Sequence, residues 1–252
     1  MTLPALVLAG SRDGAQDPLA RLGKVGHKAL LSVGGRPMID RVLGTLEQTD
    51  GIGPVSVSIE DHAALQTLER PFTCLPTARG PSGSVALALE ALGTPLLITT
   101  ADHPLLRPAW ITAFVQEANQ SDCDLAVGVA LKATIERDVP HTRRTYIRLR
   151  DMTFSGCNLF LMRTPKACAV VTLWQSLERD RKLPLRMART LGYGILLRAL
   201  LGRLSSAALV TRIGQLTGAK VALIPIDDGR AAVDVDKPQD LELVEMLLAR
   251  SA

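Results

Sequence analysis

The sequence is poor in aromatic residues: Phe, Trp and Tyr make up 3% of its 252 positions. Proteins that bind nucleic acid strands stack bases on aromatic rings and neutralise phosphates with many basic side chains. Here the net charge is only +4, with a pI near 9.0. The composition therefore argues against nucleic acid as a partner and favours a small anionic substrate.

Cysteine is also scarce, with four residues and no C-x-x-C pair. Zinc knuckles and disulfide frameworks need closely spaced or paired cysteines, so neither is expected. We interpret the four as reduced thiols of a cytoplasmic protein: Cys74, Cys123, Cys157 and Cys168.

Long apolar runs are missing too. The run over 3–9 has no basic residue before it and ends in a glycine loop, which favours a first strand over a signal peptide. The most apolar later stretch, 194–204, is interrupted by Arg198 and Arg203. No transmembrane segment is predicted.

What the sequence does contain is an alternation of apolar runs and amphipathic stretches. It predicts strands over 3–9, 55–59, 95–100, 125–131, 154–162 and 221–226, and helices over 38–46, 61–69, 84–92, 108–118 and 240–249. Such alternation is typical of a three-layer α/β/α domain with a mainly parallel sheet, whose ligands bind at the carboxyl ends of the strands. We expect one domain over 1–252.

The interval 173–216 departs from this rhythm because it mixes leucines with many arginines. It predicts a helical insertion. Its part near 193–216 could contact an anionic membrane peripherally, although a helix packed on the domain is the favoured interpretation.

Three polar features follow predicted strands or precede apolar runs. The loop Gly10 to Gly14 follows the first strand and can offer N–H groups to phosphate, or be an ordinary turn. Lys28 precedes an apolar run, either solvated or bound to an anion. Asp102 ends a strand, where it could bind Mg²⁺ or form an Asx-turn.

A further acidic pair precedes the last predicted helix. Asp236 and Gln239 have capping-box spacing, and Pro238 suits the first turn, so we assign Asp236 to the helix cap, with a supporting role near the metal left open. Asp234 has no such structural role and lies on the same side of an extended chain. It is the second candidate metal ligand.

Four segments together resemble the signature blocks of the MobA-like nucleotidyltransferases, which have a Rossmann-like (GT-A) fold. They are Leu8-Ala9-Gly10, the stretch 28–39, Thr100 to Pro104, and Asp234 to Leu241. That superfamily includes sugar-1-phosphate nucleotidyltransferases, molybdenum-cofactor guanylyl- and cytidylyltransferases, and methylerythritol-phosphate cytidylyltransferase.

The resemblance implies an Mg²⁺-dependent enzyme that transfers an NMP from an NTP to a phosphorylated small molecule and releases pyrophosphate. By resemblance, the metal ligands are Asp102 and Asp234, and the catalytic residues are Lys28, Arg12 and Asp102. The nucleotide-binding residues are Leu8, Ala9, Gly10, Ser11, Arg12, Lys28, Gly80, Ser84 and Ala101.

The acceptor is expected to bind on the other side of the reacting phosphate. The candidate residues are Arg143, Arg144, Arg148, Gly156 and Asn158, the arginines for a phosphate and Asn158 for hydroxyls, with a solvated loop as the alternative for the arginines. The sequence does not predict the acceptor's identity or the oligomeric state.

The chain departs from the family pattern in three places. It has Gly10-Ser11 in place of Gly-Gly, extra residues over 15–21, and His27 in place of a proline before Lys28. The segment 80–85 resembles that of cytidylyltransferases, which favours CTP, with GTP next. The alternatives are a GT-A glycosyltransferase and a catalytically silent nucleotide-binding domain.

Overall fold

The computed structural model describes residues 2–11, 13–140, 142–180 and 183–250, without the side chains of residues 184 and 185. The described strands are β1 Leu3–Leu8, β2 Ser32–Val33, β3 Arg36–Pro37, β4 Ile52–Ser58, β5 Thr73–Leu75, β6 Leu96–Thr100, β7 Leu125–Leu131, β8 Ile147–Arg148, β9 Thr153–Met162 and β10 Val221–Pro225. The described α-helices are α1 Pro18–Gly23, α2 Met38–Glu47, α3 Pro81–Leu92, α4 Pro108–Gln120, α5 Lys132–Asp138, α6 Ala167–Asp180, α7 Pro184–Leu191, α8 Tyr193–Leu200, α9 Ser206–Thr217 and α10 Pro238–Ala249.

The central sheet has the order β10-β7-β9-β6-β1-β4-β5, and β8 pairs with β9. Its strands are parallel except for β9, which runs antiparallel to β6 and β7, and β8, which runs antiparallel to β9. Strands β2 and β3 form a separate hairpin. The predicted mainly parallel α/β sheet is confirmed.

Both faces of the sheet are covered by helices. On β1, Ala5 and Val7 belong to a core shared with α2, α4 and α10, whereas Leu6 packs with α3 and α6 on the other face. Successive side chains of a strand point to opposite faces, so a strand buried on both is apolar throughout. The continuous apolar run of β1 therefore follows from the three-layer packing.

The registers align the carboxyl ends of three strands. Leu8 of β1 lies opposite Thr100 of β6 and Ser58 of β4. The polar segments that follow these strands consequently meet at one edge of the sheet, where open α/β sheets bind their ligands.

The structure corrects one predicted element and extends another. The helix expected over 61–69 is only a single 3-10 turn, His62–Leu65, while the helix expected over 84–92 begins three residues earlier, at Pro81. Residues 184–217 form the helices α7, α8 and α9. Within the described ranges, no helix is both long enough and apolar enough to cross a membrane.

Candidate active site

Lys28 lies at the carboxyl edge of the sheet, in a short 3-10 turn. His27 holds the start of this turn, because its Nδ1 accepts a hydrogen bond from the Ala29 N–H at 3.1 Å. The Lys28 ammonium donates to Oδ1 of Asp236 at 2.8 Å and to Oδ2 of Asp102 at 3.3 Å. Burial disfavours its charged form, but the two carboxylates outweigh burial and raise the pKa of Lys28. The side chain is therefore a cation at neutral pH.

Asp102 follows β6 and is oriented by its neighbours. Its Oδ1 accepts from the Thr100 hydroxyl at 2.6 Å, and its backbone carbonyl accepts from the Val235 N–H at 2.9 Å. The second bond fixes the segment that carries Asp234 and Asp236 beside Asp102. Burial raises the pKa of Asp102, and the charge of Asp234 adds to that rise while Lys28 opposes it.

Asp234 is held by two donors. Arg144 Nη1 donates to its Oδ1 at 2.6 Å, and Asn158 Nδ2 donates to its Oδ2 at 3.0 Å. The side chains of Asp234 and Arg144 are only 14% and 12% exposed. Burial acts to raise the pKa of Asp234, yet the bonds and charge of Arg144, with Asn158, outweigh burial and lower it. Asp234 is thus a carboxylate at neutral pH.

Asn158 reaches Asp234 through an irregularity in β9. The β7–β9 register shifts between Val127 and Val129, and Asn158 has a left-handed φ of +49°. Asparagine tolerates this conformation better than most residues, and bulges re-aim side chains next to functional sites. At this irregularity the Asn158 side chain lies within hydrogen-bonding distance of Asp234.

The carboxylates suit a Mg²⁺ ion that is shared with a substrate. Among the described residues no group of three or more His, Cys, Asp or Glu side chains could hold a metal by itself. Mg²⁺ usually takes one or two carboxylates plus substrate phosphates, rather than a complete protein cage. The negative charges of Asp102 and Asp234 repel each other, and a cation bound between them would reduce that repulsion. Each carboxylate oxygen accepts one hydrogen bond and retains a lone pair that could coordinate the cation.

The predicted phosphate loop lies at the end of β1. The Ser11 N–H donates to both carboxylate oxygens of Glu60 at 3.1 Å, and His27 Nε2 lies 3.1 Å from Glu60 Oε1. The Ser11 hydroxyl is buried and has no partner among the described residues. The Glu60 carboxylate therefore already accepts from the loop N–H of Ser11, whereas the Ser11 hydroxyl remains available as a donor to a ligand. The predicted residue Arg12 lies outside the described residues.

The other predicted nucleotide residues lie around the same edge. The Leu8 carbonyl accepts from the Ala101 N–H at 2.9 Å, and the Ala9 N–H donates to the Ser58 carbonyl at 2.9 Å. Ala9 and Ala101 are buried and Gly10 is exposed. These backbone bonds attach the loop to the two strands that flank β1.

Gly80 and Ser84 lie at the start of α3, and among the described residues neither forms a hydrogen bond with the Lys28 ammonium, which bonds to Asp102 and Asp236. Gly80 has a φ of +100°, and the Ser84 hydroxyl accepts from the Ala78 N–H at 3.0 Å. Glu178 of α6 accepts from the Ser82 hydroxyl at 2.5 Å. The Ser84 side chain therefore stabilises the turn before α3. The Glu178 carboxylate, which the sequence did not indicate, lies next to the first turn of α3.

Asp236 is not the cap of the last helix, so that prediction was wrong. Helix α10 begins at Pro238, and the N–H groups of Lys237 and Asp236 donate to Asp240 Oδ2 at 2.8 and 3.2 Å. Asp240 therefore does the capping, which leaves the Asp236 carboxylate to pair with Lys28.

The remaining acceptor candidates are more dispersed. Arg143 and Arg148 are exposed and have no ion pair with any described carboxylate, and Gly156 is an exposed residue of β9 opposite Val129. The structure therefore joins Arg144 and Asn158 to the cluster but leaves Arg143, Arg148 and Gly156 outside it. Sequence reasoning missed Glu60 entirely, because its contacts are with distant parts of the chain.

A model of the MobA-like NTP transferase domain matches residues 5–178. The chain belongs to the MobA-like NTP transferase family. The resemblance inferred from the four sequence blocks is confirmed, and the matched range includes Lys28, Asp102, Arg144 and Asn158. No curated protein matches the chain.

Solved structures extend the likeness. A hypothetical transferase from Thermus thermophilus is 32% identical, with a TM-score of 0.82 over 96% of this chain and 100% of that one. CMP:2-keto-3-deoxy-manno-octonic acid synthetase complexed with CTP is 15% identical, with a TM-score of 0.63 over 100% of both chains. Molybdopterin-guanine dinucleotide biosynthesis protein A from Archaeoglobus fulgidus is 14% identical, with a TM-score of 0.54 over 98% of this chain and 100% of that one. The last two likenesses concern the fold alone.

Proposed function

We propose that the protein transfers an NMP from an NTP, CTP in preference to GTP, to a phosphorylated small-molecule acceptor and releases pyrophosphate. The observation that carries this proposal is the contact of the Lys28 ammonium with Asp102 and Asp236, at the strand edge that also holds the Ser11 loop. A fixed cation beside carboxylates is the charge arrangement that phosphoryl transfer needs, since its catalysis is mainly positioning and charge stabilisation.

The chemistry requires little proton transfer. A phosphate monoester has a second pKa of about 6, so the acceptor is largely dianionic at neutral pH. One of its oxygens attacks the α-phosphorus in line, and the bond from that phosphorus to the bridging oxygen breaks, which releases pyrophosphate. Lys28 stabilises the phosphate charge, and Arg12 is proposed to contact the leaving pyrophosphate.

Asp102 and Asp234 would hold Mg²⁺. When bound, the ion supplies charge neutralisation and alignment of the phosphate oxygens. Asp234 is ionised at neutral pH, as such a ligand must be. Arg144 and Asn158 fix its orientation, which is the usual role of groups that contact a metal ligand.

An unpaired donor supports an acceptor site beside Asp234. The Nε of Arg144 is buried and has no hydrogen-bond partner among the described residues. A buried donor without a partner costs free energy, so a ligand oxygen that accepts from it gains affinity. We propose that Arg144 and Asn158 contact the acceptor, with the exposed Arg143, Arg148 and Gly156 at its periphery.

At the predicted phosphate loop, the Glu60 carboxylate occupies the position proposed for a phosphate of the nucleotide. Its carboxylate accepts from the Ser11 N–H, the kind of group that a phosphate oxygen would contact. We propose that the triphosphate replaces Glu60 there and uses the free Ser11 hydroxyl. The proposed segment for the base is the turn with Gly80 and Ser84.

The test is pyrophosphate release with Mg²⁺, each of the four NTPs, and a panel of sugar phosphates, polyol phosphates and molybdopterin. We expect metal-dependent release with one pairing of NTP and acceptor, fastest with CTP. Asp102→Asn should lower the rate about 10²-fold or more. Asp122→Asn, a change at an 87% exposed carboxylate, is the matched control and should leave the rate unchanged.

Two results would overturn the proposal. Release of a nucleoside diphosphate from a nucleotide sugar, without pyrophosphate, would make the protein a glycosyltransferase. Binding of an NTP with no turnover against any acceptor would make it a silent nucleotide-binding domain.

A further inference from the structure

The charges of the chain are distributed unevenly. Between residues 181 and 226 there are eight Lys and Arg residues and no Asp or Glu, whereas the rest of the chain carries 21 basic and 25 acidic side chains. The basic residues are Arg181, Lys182, Arg186, Arg189, Arg198, Arg203, Arg212 and Lys220. A segment of one charge sign favours a partner of the opposite sign.

Helix α8, in the middle of that segment, exposes apolar side chains. Tyr193, Leu197 and Leu200 follow the i, i+4, i+7 spacing of one helix face and are 64%, 58% and 76% exposed. Leu201, directly after the helix, is 58% exposed. We call these four residues the α8 patch. No residue of α8 is fully buried; Ile195 and Leu196 are partly buried, and the α8 patch is exposed.

Three exposed arginines lie within or next to the α8 patch in the sequence. Arg189, Arg198 and Arg203 are exposed, and none of them forms an ion pair with a carboxylate in the part of the chain that the structure describes. Arginine can bury its alkyl chain while its guanidinium stays at a polar boundary. An apolar strip combined with such side chains matches the boundary between acyl chains and anionic headgroups.

We propose that the α8 patch docks on the surface of an anionic membrane, with its leucines inserted between the headgroups and its arginines on lipid phosphates. The docking is peripheral, since no described helix could cross a bilayer. This inference does not depend on nucleotidyl transfer, and either one can fail alone.

The attachment of α8 gives the docked protein an orientation. After α8, the Leu204 carbonyl accepts from the Arg150 N–H at 2.7 Å, and Asp151 accepts from the Ser206 hydroxyl at 2.6 Å. Arg150 and Asp151 form the turn between β8 and β9, and β9 carries Asn158. Docking through the α8 patch therefore directs the side of the molecule with the proposed acceptor residues toward the bilayer.

The test is co-sedimentation of the full chain with vesicles. One set contains equal parts of phosphatidylglycerol and phosphatidylcholine, and the other contains phosphatidylcholine alone. We expect binding to the anionic set at low salt, a steep decrease as salt rises, and no binding to the neutral set. Absence of binding to anionic vesicles at low salt, or equal binding to both sets, would overturn the proposal.

Substitutions test whether the α8 patch is the surface that binds the vesicles. The double substitution Leu197→Ser with Leu200→Ser should reduce partitioning about tenfold or more, because it removes apolar area from the membrane contact. The matched control is Leu22→Ser, which changes a leucine that is 54% exposed on α1 and should bind like wild type. For the charges, Arg198→Gln with Arg203→Gln should weaken binding, whereas Arg21→Gln on α1 should weaken it less.

Light scattering after size-exclusion chromatography tests whether the α8 patch instead binds a second copy of the chain. We expect the mass of the wild type and of the double leucine variant to be equal and independent of concentration. A dimer that the leucine substitutions dissociate would assign the α8 patch to self-association and would overturn the proposal.

Discussion

The ammonium of Lys28 lies 2.8 Å from a carboxylate oxygen of Asp236, across 208 positions of sequence. The same ammonium contacts Asp102, so one cation joins the segments after β6 and before α10. These contacts hold Lys28 in place before any substrate binds. In the proposed reaction, the triphosphate competes with the carboxylates for this cation.

Lys28→Met should therefore lower kcat/KM for the NTP about 10²-fold, since it removes a fixed positive charge from the developing phosphate charge. Steady-state kinetics of pyrophosphate release measure the change. Lys166→Met, at an exposed lysine, is the control and should leave kcat/KM as in wild type. Equal activity of Lys28→Met and wild type would remove Lys28 from the mechanism.

Substitutions of Arg144 and Arg148 should differ sharply in their effect on stability, although both residues were predicted from the sequence to bind the acceptor phosphate. Arg144→Gln leaves the largely buried Asp234 without its ionic partner and should destabilise the fold by about 3 kcal/mol. It should also raise KM for the acceptor. Arg148→Gln, at an exposed side chain, should change stability by less than about 0.5 kcal/mol.

Urea unfolding at neutral pH measures both variants. If Arg148→Gln costs as much stability as Arg144→Gln, the ion pair with Asp234 is not the important contact. An unchanged acceptor KM in Arg144→Gln would separate this residue from acceptor binding.

His103 should make stability depend on pH. It is 1% exposed, stacks on Trp110 with ring centroids 6.2 Å apart, and has a pKa lowered to about 4, mainly by burial. The folded state therefore binds fewer protons than the unfolded state between the ordinary pKa of 6.5 and 4. Stability must fall as pH decreases through that window.

Between pH 7 and pH 5, wild type should lose about 2 kcal/mol more of its free energy of unfolding than His103→Gln, which has no imidazole to protonate. Urea titrations of both proteins at the two pH values measure the difference. Parallel losses in the two proteins would mean that His103 titrates normally.

The sequence predicted those parts of the fold that burial dictates. Strands β1, β6 and β7 read as continuous apolar runs because helices cover both of their faces. The helix expected over 61–69 failed after one turn, His62–Leu65. Asp61 caps the short turn by accepting from the Ala63 N–H. Pro71 restricts only Arg70, beyond the expected helix, so no proline or glycine in the sequence marks the end at Leu65.

Parts of the site could be predicted from residue type and position, and others could not. Asp102 and Lys28 lie at strand or turn boundaries that the sequence reveals. For the last helix, the pairs 236/239 and 237/240 have the same spacing, and Pro238 at the first helical position favours the second pair, which the structure has. The contacts of Glu60 with Ser11 and His27 depend on three-dimensional folding, which no local pattern encodes.

In the proposed reaction a nucleotidyl group moves to an acceptor at a site built on Asp102. The most direct measurement uses an NTP labelled at its α-phosphate, incubated with the acceptor and Mg²⁺, followed by separation of the products. We predict label in the acceptor product and none in pyrophosphate, with transfer reduced about 10²-fold in Asp102→Asn and unchanged in Asp122→Asn. Label found only in free NMP or NDP, or transfer at the wild-type rate in Asp102→Asn, would contradict the account.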